Sequence, residues 1–208
     1  MKINRDSIPY VVVFSFLATV AFVVLLAIGN QLTLPRIQQN QRFAERSAVL
    51  RSFGIAFSGP AEADAKFESE VRKPPRSDAS TLAYEATVDG ITWIAVRETG
   101  NGLWGSIVAI VAADATATRL RGVEVVSHNE TPGLGGRIDE AWFKEQFRGR
   151  KVGDDGKISI DQNGTGKGEI DKEKPRVDAI TGASLTSGFL RDIVNAALAR
   201  IRTLGGSK

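Results

Sequence analysis

Residues 8–29 contain no charged side chain, and no other stretch of this 208-residue chain limits its folding so severely. The run includes Val11-Val12-Val13-Phe14, Phe16-Leu17 and Phe22-Val23-Val24-Leu25-Leu26-Ala27-Ile28. As a helix rising about 1.5 Å per residue it spans the roughly 30 Å hydrocarbon core of a bilayer. It is apolar on every face, so it is not an amphipathic surface helix. Pro9 sits near its start, where a missing N–H costs little, and Tyr10 falls where an interfacial aromatic belongs. A cleaved signal peptide has a shorter apolar core, roughly 7–15 residues, followed by small residues at the cleavage site. Leu32-Thr33-Leu34-Pro35 is a poor cleavage site, so a retained anchor is the expectation. Lys2 and Arg5 on one flank nearly balance Arg36, Arg42 and Arg46 on the other, and charge alone does not orient the span.

What remains is enough for one domain of ordinary size. The net charge is +3 and the basic residues are scattered, so no nucleic-acid partner is expected. The chain has no cysteine, one histidine (His128) and one methionine (Met1). A disulfide framework, a thiolate zinc site and a Cys-ligated iron–sulfur cluster are therefore excluded, and a haem or copper centre has almost nothing to hold it. No metal site is expected, and any electron carrier held by this chain is organic.

The expected organisation is an anchor over 1–30, a helical and irregular linker over 31–80, and a domain over 81–208. Residues 35–53 have helical spacing, whereas 58–80, with Lys73-Pro74-Pro75-Arg76, read as irregular connection. Strands are expected over 82–88 and 91–97 around the Asp89-Gly90 turn, and over 104–112 and 120–127. A short helix is expected over 139–147, and a polar, Gly-rich excursion over 153–174 with one strand at 158–160. Asp161, Asn163, Thr165 and Gly166 imitate a calcium loop, but Lys172 stands where a bidentate Glu is required. Over 183–204, Leu185, Phe189, Ile193, Ala197 and Ile201 lie on one face of a long helix that ends at Gly205-Gly206. The fold class is α+β, a mostly antiparallel sheet packed on a C-terminal helix and preceded by one transmembrane helix.

Three segments invite chemistry. Gly100-Asn101-Gly102-Leu103-Trp104-Gly105 matches G-x-G-x-x-G, but the next residues read as a strand. A dinucleotide fingerprint requires a helix there, so the segment reads as a hairpin turn with a packed tryptophan. His128-Asn129-Glu130-Thr131-Pro132-Gly133-Leu134-Gly135-Gly136 makes a tight backbone that can approach a flat ligand, or a plain strand-to-helix connection. Asp178-Ala179-Ile180-Thr181-Gly182-Ala183-Ser184-Leu185-Thr186-Ser187 lies where a strand feeds the last helix. Free N–H groups at such a terminus bind phosphate. The hydroxyls equally suit helix capping, and on physics alone capping is the stronger reading.

Together the three resemble one family. Thr181-Gly182-Ala183-Ser184-Leu185-Thr186 is similar to the [ST]-G-A-[TS]-x-T motif of the FMN-binding subunits of Rnf and Na⁺-translocating NADH:quinone oxidoreductase complexes. Glu130-Thr131-Pro132-Gly133-Leu134-Gly135 resembles their E-T-P-G-L-G loop, and Gly102-Leu103-Trp104 their G-L-W segment. The resemblance covers about 82–200 plus the anchor. It implies FMN esterified through its phosphate to Thr186 by a separate flavin transferase that cleaves FAD, with Asp178 helping to present the acceptor. Leu103, Trp104 and residues 130–135 would pack on the flavin ring. It further implies an electron-transfer subunit with no small-substrate turnover or catalytic residue of its own, partnered by other subunits of a membrane oxidoreductase. The anchor would sit in the bacterial cytoplasmic membrane, with the domain on the extracytoplasmic side. Two other readings stay open: a membrane-anchored non-redox sensor or structural domain, and a stand-alone extracytoplasmic flavoprotein reductase. Ser184 stands where Thr is common in the motif, and no function carries over to 153–174.

Overall fold

The strand Ser106–Asp114 is buried along almost its whole length, and this fixes the layering. The computed structural model describes residues 7–75, 82–164, 168 and 171–206. Lys2, Arg5, residues 76–80 of the expected irregular connection, and Thr165 and Gly166 of the calcium-like loop lie outside them. In chain order the elements are α1 (Ile8–Phe53), α2 (Pro60–Glu70), β1 (Val71–Arg72), β2 (Ala83–Val88), β3 (Ile91–Asn101), β4 (Ser106–Asp114) and β5 (Leu120–Ser127). A 3-10 turn (Gly135–Asp139) follows, then α3 (Ala141–Glu145), β6 (Ser159–Asp161), β7 (Arg176–Asp178) and α4 (Ser184–Gly205).

The chain divides into two units, Met1–Arg42 and Phe43–Lys208. The first is helical from Ile8 onward, and its apolar stretch is long enough to cross a membrane. The helices expected over 8–29 and 35–53 are one continuous α1, with Pro35 inside it. Proline removes one N–H from the ladder, and the Thr33 hydroxyl, 3.0 Å from the Gly29 carbonyl and 3.2 Å from that of Asn30, adds a bond of its own just before it.

In the second unit β1 to β5 form an antiparallel sheet in sequence order. Alternate side chains point to opposite faces. Ile94, Val96, Ile107, Ala109, Val111 and Val123 face α4, which offers Leu190, Ile193, Val194, Ala197, Leu198 and Ile201. Trp93, Ala95, Ile110 and Ala112 face the other way, against Val49, Leu50 and Phe53 at the end of α1 and Ala63 of α2. The sheet is thus covered on both faces, not only by the final helix. α2 forms in what reads as irregular connection. Pro60 occupies its first turn, the Ser58 N–H donates to Glu62, and Arg46 pairs with Asp64 and Glu68. β4 starts two residues later than expected, which leaves Leu103 and Trp104 in the β3–β4 turn. The 139–147 helix shortens to α3, preceded by the 3-10 turn.

The 153–174 excursion is anchored at both ends. β6 pairs in parallel with β7, and the Asn195 side chain bonds both the N–H and the carbonyl of Ile158. Arg150, fully buried, donates to the carbonyls of Gln146, Asp171 and Lys174. Asp161 is committed to the Asn163 N–H and to Arg176.

Candidate flavin site

Three connections meet at one end of the sheet. The β3–β4 turn is closed by a bond from the Gly102 N–H to the Gly105 carbonyl at 2.6 Å. The loop after β5 is pinned by His128: its Nδ1 accepts the Glu130 N–H at 3.0 Å, and its Nε2 is 2.9 Å from Asp139. The Thr131 carbonyl then accepts the N–H groups of Leu134 and Gly136, which tightens the turn into the 3-10 segment. The third connection runs from β7 into α4. The Ser187 hydroxyl accepts the Ile180 N–H and donates to the Ala183 carbonyl, both at 3.0 Å, and so braces the turn from inside.

Glu130 joins the three. Its Oε1 accepts the N–H groups of Leu103 at 2.7 Å and Trp104 at 3.1 Å. Its Oε2 accepts the Thr186 hydroxyl at 2.5 Å. Glu130 is 4% exposed and Thr186 1%, so the contact is sealed from solvent. Two glycines make the approach possible. A Cβ on Gly102 would lie 2.6 Å from Glu130 Oε1, and one on Gly135 would lie 2.6 Å from both Glu130 Oε2 and Thr186 Oγ1.

Above this floor opens a cleft of about 500 Å³, within the range of small-molecule sites. Leu103, Trp104, Glu130, Thr131, Leu134, Gly135 and the stretch from Gly182 to Thr186 line it. Its rim carries large apolar side chains open to solvent: Trp104 67%, Leu185 64%, Leu103 50% and Leu134 48% exposed. The tryptophan expected to pack inside a hairpin is instead at the tip, because the turn projects it away from both sheet faces. Among the described residues no Lys or Arg lines the cleft. An anion there meets only the first turn of α4, where Ala183 is the N-cap and no side chain caps the helix. Capping, the stronger reading of Ser184, Thr186 and Ser187 on residue type alone, is not what these hydroxyls do. The Thr186 hydroxyl is taken by Glu130, and that of Ser187 by the turn.

The structure therefore gathers Leu103, Trp104, Glu130, Thr131, Leu134, Gly135, Gly182, Ala183, Ser184, Leu185 and Thr186 around one cleft. Pro132 and Gly133 lie in the loop behind it, and Thr181 is an exposed turn residue. Asp178 is buried in β7 with its carboxyl against Gly164, and is not among the lining residues. His128, Asp139 and Ser187 hold the site without lining it. Their types carry no flavin signal, and only the fold shows their part.

Residues 102–199 match the family described as FMN-binding domain. That stretch of the chain is similar to FMN-binding domains. Its matched span opens at the β3–β4 turn and closes in α4, so every lining residue lies inside it. Among curated relatives, the C subunit of the Na(+)-translocating NADH-quinone reductase of Neisseria meningitidis serogroup A is 38% identical over 89 residues, 42% of this chain and 33% of that protein. Its counterpart in Vibrio anguillarum is 34% identical over 115 residues, 54% of this chain and 44% of that protein. The chain thus matches less than half the length of these relatives. The fold is that of solved structures. The C subunit of the Parabacteroides distasonis reductase aligns with a TM-score of 0.66 at 22% identity, over 82% of this chain and 96% of that one. NqrC of Shewanella oneidensis aligns with 0.63 at 18%, over 79% and 99%.

The residues present fit an FMN on two counts. The exposed apolar rim matches a flat aromatic ring, and the floor offers a hydroxyl in the first turn of a 22-residue helix, where phosphate charge is stabilised.

Proposed function

We propose that this chain holds FMN as a phosphoester on Thr186 and serves as an electron-transfer subunit of a membrane oxidoreductase of the Na⁺-translocating NADH:quinone type. The observation that carries the reading is the Thr186 hydroxyl, set into the floor of an apolar-rimmed cleft at the N-terminus of α4. The flavin supplies the redox chemistry when bound; the chain supplies position and electrostatics. Leu103, Trp104, Leu134 and Leu185 offer apolar contact to the ring. The first-turn N–H groups of α4 would hold the phosphate, and the buried floor would keep water from the ester. Small-substrate turnover is not assigned to this chain. The other subunits donate and accept the electrons, a flavin transferase installs the flavin, α1 anchors the chain in the bacterial cytoplasmic membrane, and the domain lies on its extracytoplasmic side.

Mass spectrometry of chain co-expressed with a flavin transferase tests the attachment. Trypsin releases residues 177–191 as one peptide, and it should carry the mass of FMN on Thr186. A colourless product with unmodified Thr186 refutes the reading and leaves the non-redox anchored domain in its place.

A further inference from the structure

Flavin binding alone does not account for Glu130. A carboxylate 2.5 Å from the ester-forming oxygen repels a phosphate, yet the site is built around it. We propose that Glu130 is the general base for this chain's own flavinylation, an assignment that rests on Thr186 being the acceptor.

The Thr186 hydroxyl donates straight to Glu130 Oε2, and an aliphatic hydroxyl is a weak nucleophile until a neighbouring base takes its proton. The carboxylate cannot swing away, because the Leu103 and Trp104 N–H groups hold its other oxygen and the His128 ring holds its backbone. Gly135 leaves no side chain beside the pair. Among the described residues no cation pairs with Glu130, and its carboxylate is met by neutral N–H and O–H donors alone. The other candidates are placed elsewhere. The His128 Nδ1 already accepts an N–H, and Asp178 does not line the cleft.

The step balances without an oxidant or reductant. Thr186 Oγ1 attacks the FMN-side phosphorus of flavin adenine dinucleotide presented by the transferase, and the Oγ1–P bond forms. The bond from that phosphorus to the bridging oxygen breaks, AMP leaves with the electron pair, and the hydroxyl proton passes to Glu130 Oε2. Protein kinases use an acidic side chain on a substrate hydroxyl in the same way.

The test is the initial rate of flavin incorporation into the full chain in detergent, with purified transferase and flavin adenine dinucleotide, read by mass of the 177–191 peptide. Amide exchange at Leu103 and Trp104 is followed in parallel. Glu130→Gln should slow incorporation by about 100-fold or more, the range of general-base catalysis, while both amides stay protected. Glu130→Ala should regain rate with added acetate and not with acetamide, which keeps the proposal decidable if the glutamine variant folds poorly. A Glu130→Gln rate within threefold of wild type overturns the assignment. Slow incorporation accompanied by loss of protection at both amides, without acetate rescue of Glu130→Ala, also overturns it and leaves Glu130 a positioning residue. Wild-type chain that takes no flavin on Thr186 sinks the reading of the acceptor itself, a result distinct from equal rates in the two proteins.

Discussion

Gly135→Ala isolates the floor of the cleft from everything above it. Gly135 is buried and its φ is not positive, so alanine fits the backbone and the whole cost is spatial. The new methyl would sit 2.6 Å from Glu130 Oε2 and from Thr186 Oγ1, where ordinary contact begins at 3.4 Å, and 3.1 Å from Glu130 Cβ. Neither oxygen can retreat freely. Thr186 is on a helix packed into the core, and Glu130 is tied to the β3–β4 turn. The methyl fits only by opening the hydroxyl–carboxylate bond or lifting the loop. Overpacking costs about 1–3 kcal/mol and a lost charge-assisted bond about 1.5–3 kcal/mol, and the two overlap because opening the bond relieves the clash. The expected loss is about 3 kcal/mol, or roughly 6–12 °C in Tm for a domain of this size.

Thermal and urea unfolding of the full chain, followed by tryptophan fluorescence, give the number. Two neighbours serve as references. Gly136→Ala meets the Thr131 carbonyl at 3.2 Å and otherwise only ordinary contacts, with His128 Cε1 at 3.4 Å and the Glu130 carbonyl at 3.6 Å, and should cost little. Gly133→Ala meets nothing within 4 Å but has φ +75°, so it should show about 1–2 kcal/mol of backbone strain alone. Adding Thr186→Ala to Gly135→Ala removes one of the two clashing oxygens, and the pair should be less than additive by about 1 kcal/mol. A Gly135→Ala protein within about 0.5 kcal/mol of wild type, or a strictly additive double variant, would refute the close-packed floor.

Two further outcomes come from residues away from the cleft. Burial, reinforced by Glu45 at 2.7 Å from its hydroxyl, pushes the Tyr84 phenol far above its ordinary range. A raised folded-state value means stability that is intact below about pH 10 and lost as pH climbs past it, so Tyr84→Phe should flatten the alkaline decline seen in urea unfolding between about pH 9 and 11.5. Arg150→Met keeps the volume but strips three carbonyls of their buried donor, and should cost about 3–5 kcal/mol. Hydrogen exchange should show residues 171–174 losing protection first, since Arg150 holds the Asp171 and Lys174 carbonyls.

Periodicity made part of this fold readable. The i, i+4 apolar face of α4 and the strand Leu120–Ser127 stand in the structure much as the residues imply. The second helical layer was less readable, although its sign is present in Ile107 to Ala113, an unbroken apolar run typical of a strand buried on both faces. What covers that far face comes from the last turns of α1 and from α2, where the apolar residues are few and set among Arg, Glu and Ala. α2 buries only Ala63 and is held by ion pairs to Arg46, which local sequence does not reveal. The site divides along the same line. The motifs mark which loops converge, but the pairing of Glu130 with Thr186 joins residues 56 positions apart and depends on how both loops fold. Residue type also misdirects there, because Ser and Thr at a helix start read as caps when their hydroxyls are engaged elsewhere.

The electrostatics of the cleft favour the proposed covalent bond over a free anion pocket on its floor. Among the described residues, a free phosphate in this cleft finds no Lys or Arg, one buried carboxylate, and a helix N-terminus. That terminus contributes typically 0.3–1 kcal/mol, up to about 2 kcal/mol where partly buried, too little to hold a flavin phosphate against the repulsion of Glu130. Arginine clusters, the usual answer to phosphate, would strengthen such binding but would also draw the negative charge away from the hydroxyl. On the proposed linkage, a base beside Thr186 would work against non-covalent residence and in favour of ester formation. An ester would keep the phosphate from leaving, and the weak helix-terminal field would then suffice. The apolar rim would have only to orient a tethered ring, a task that exposed Leu and Trp side chains can perform.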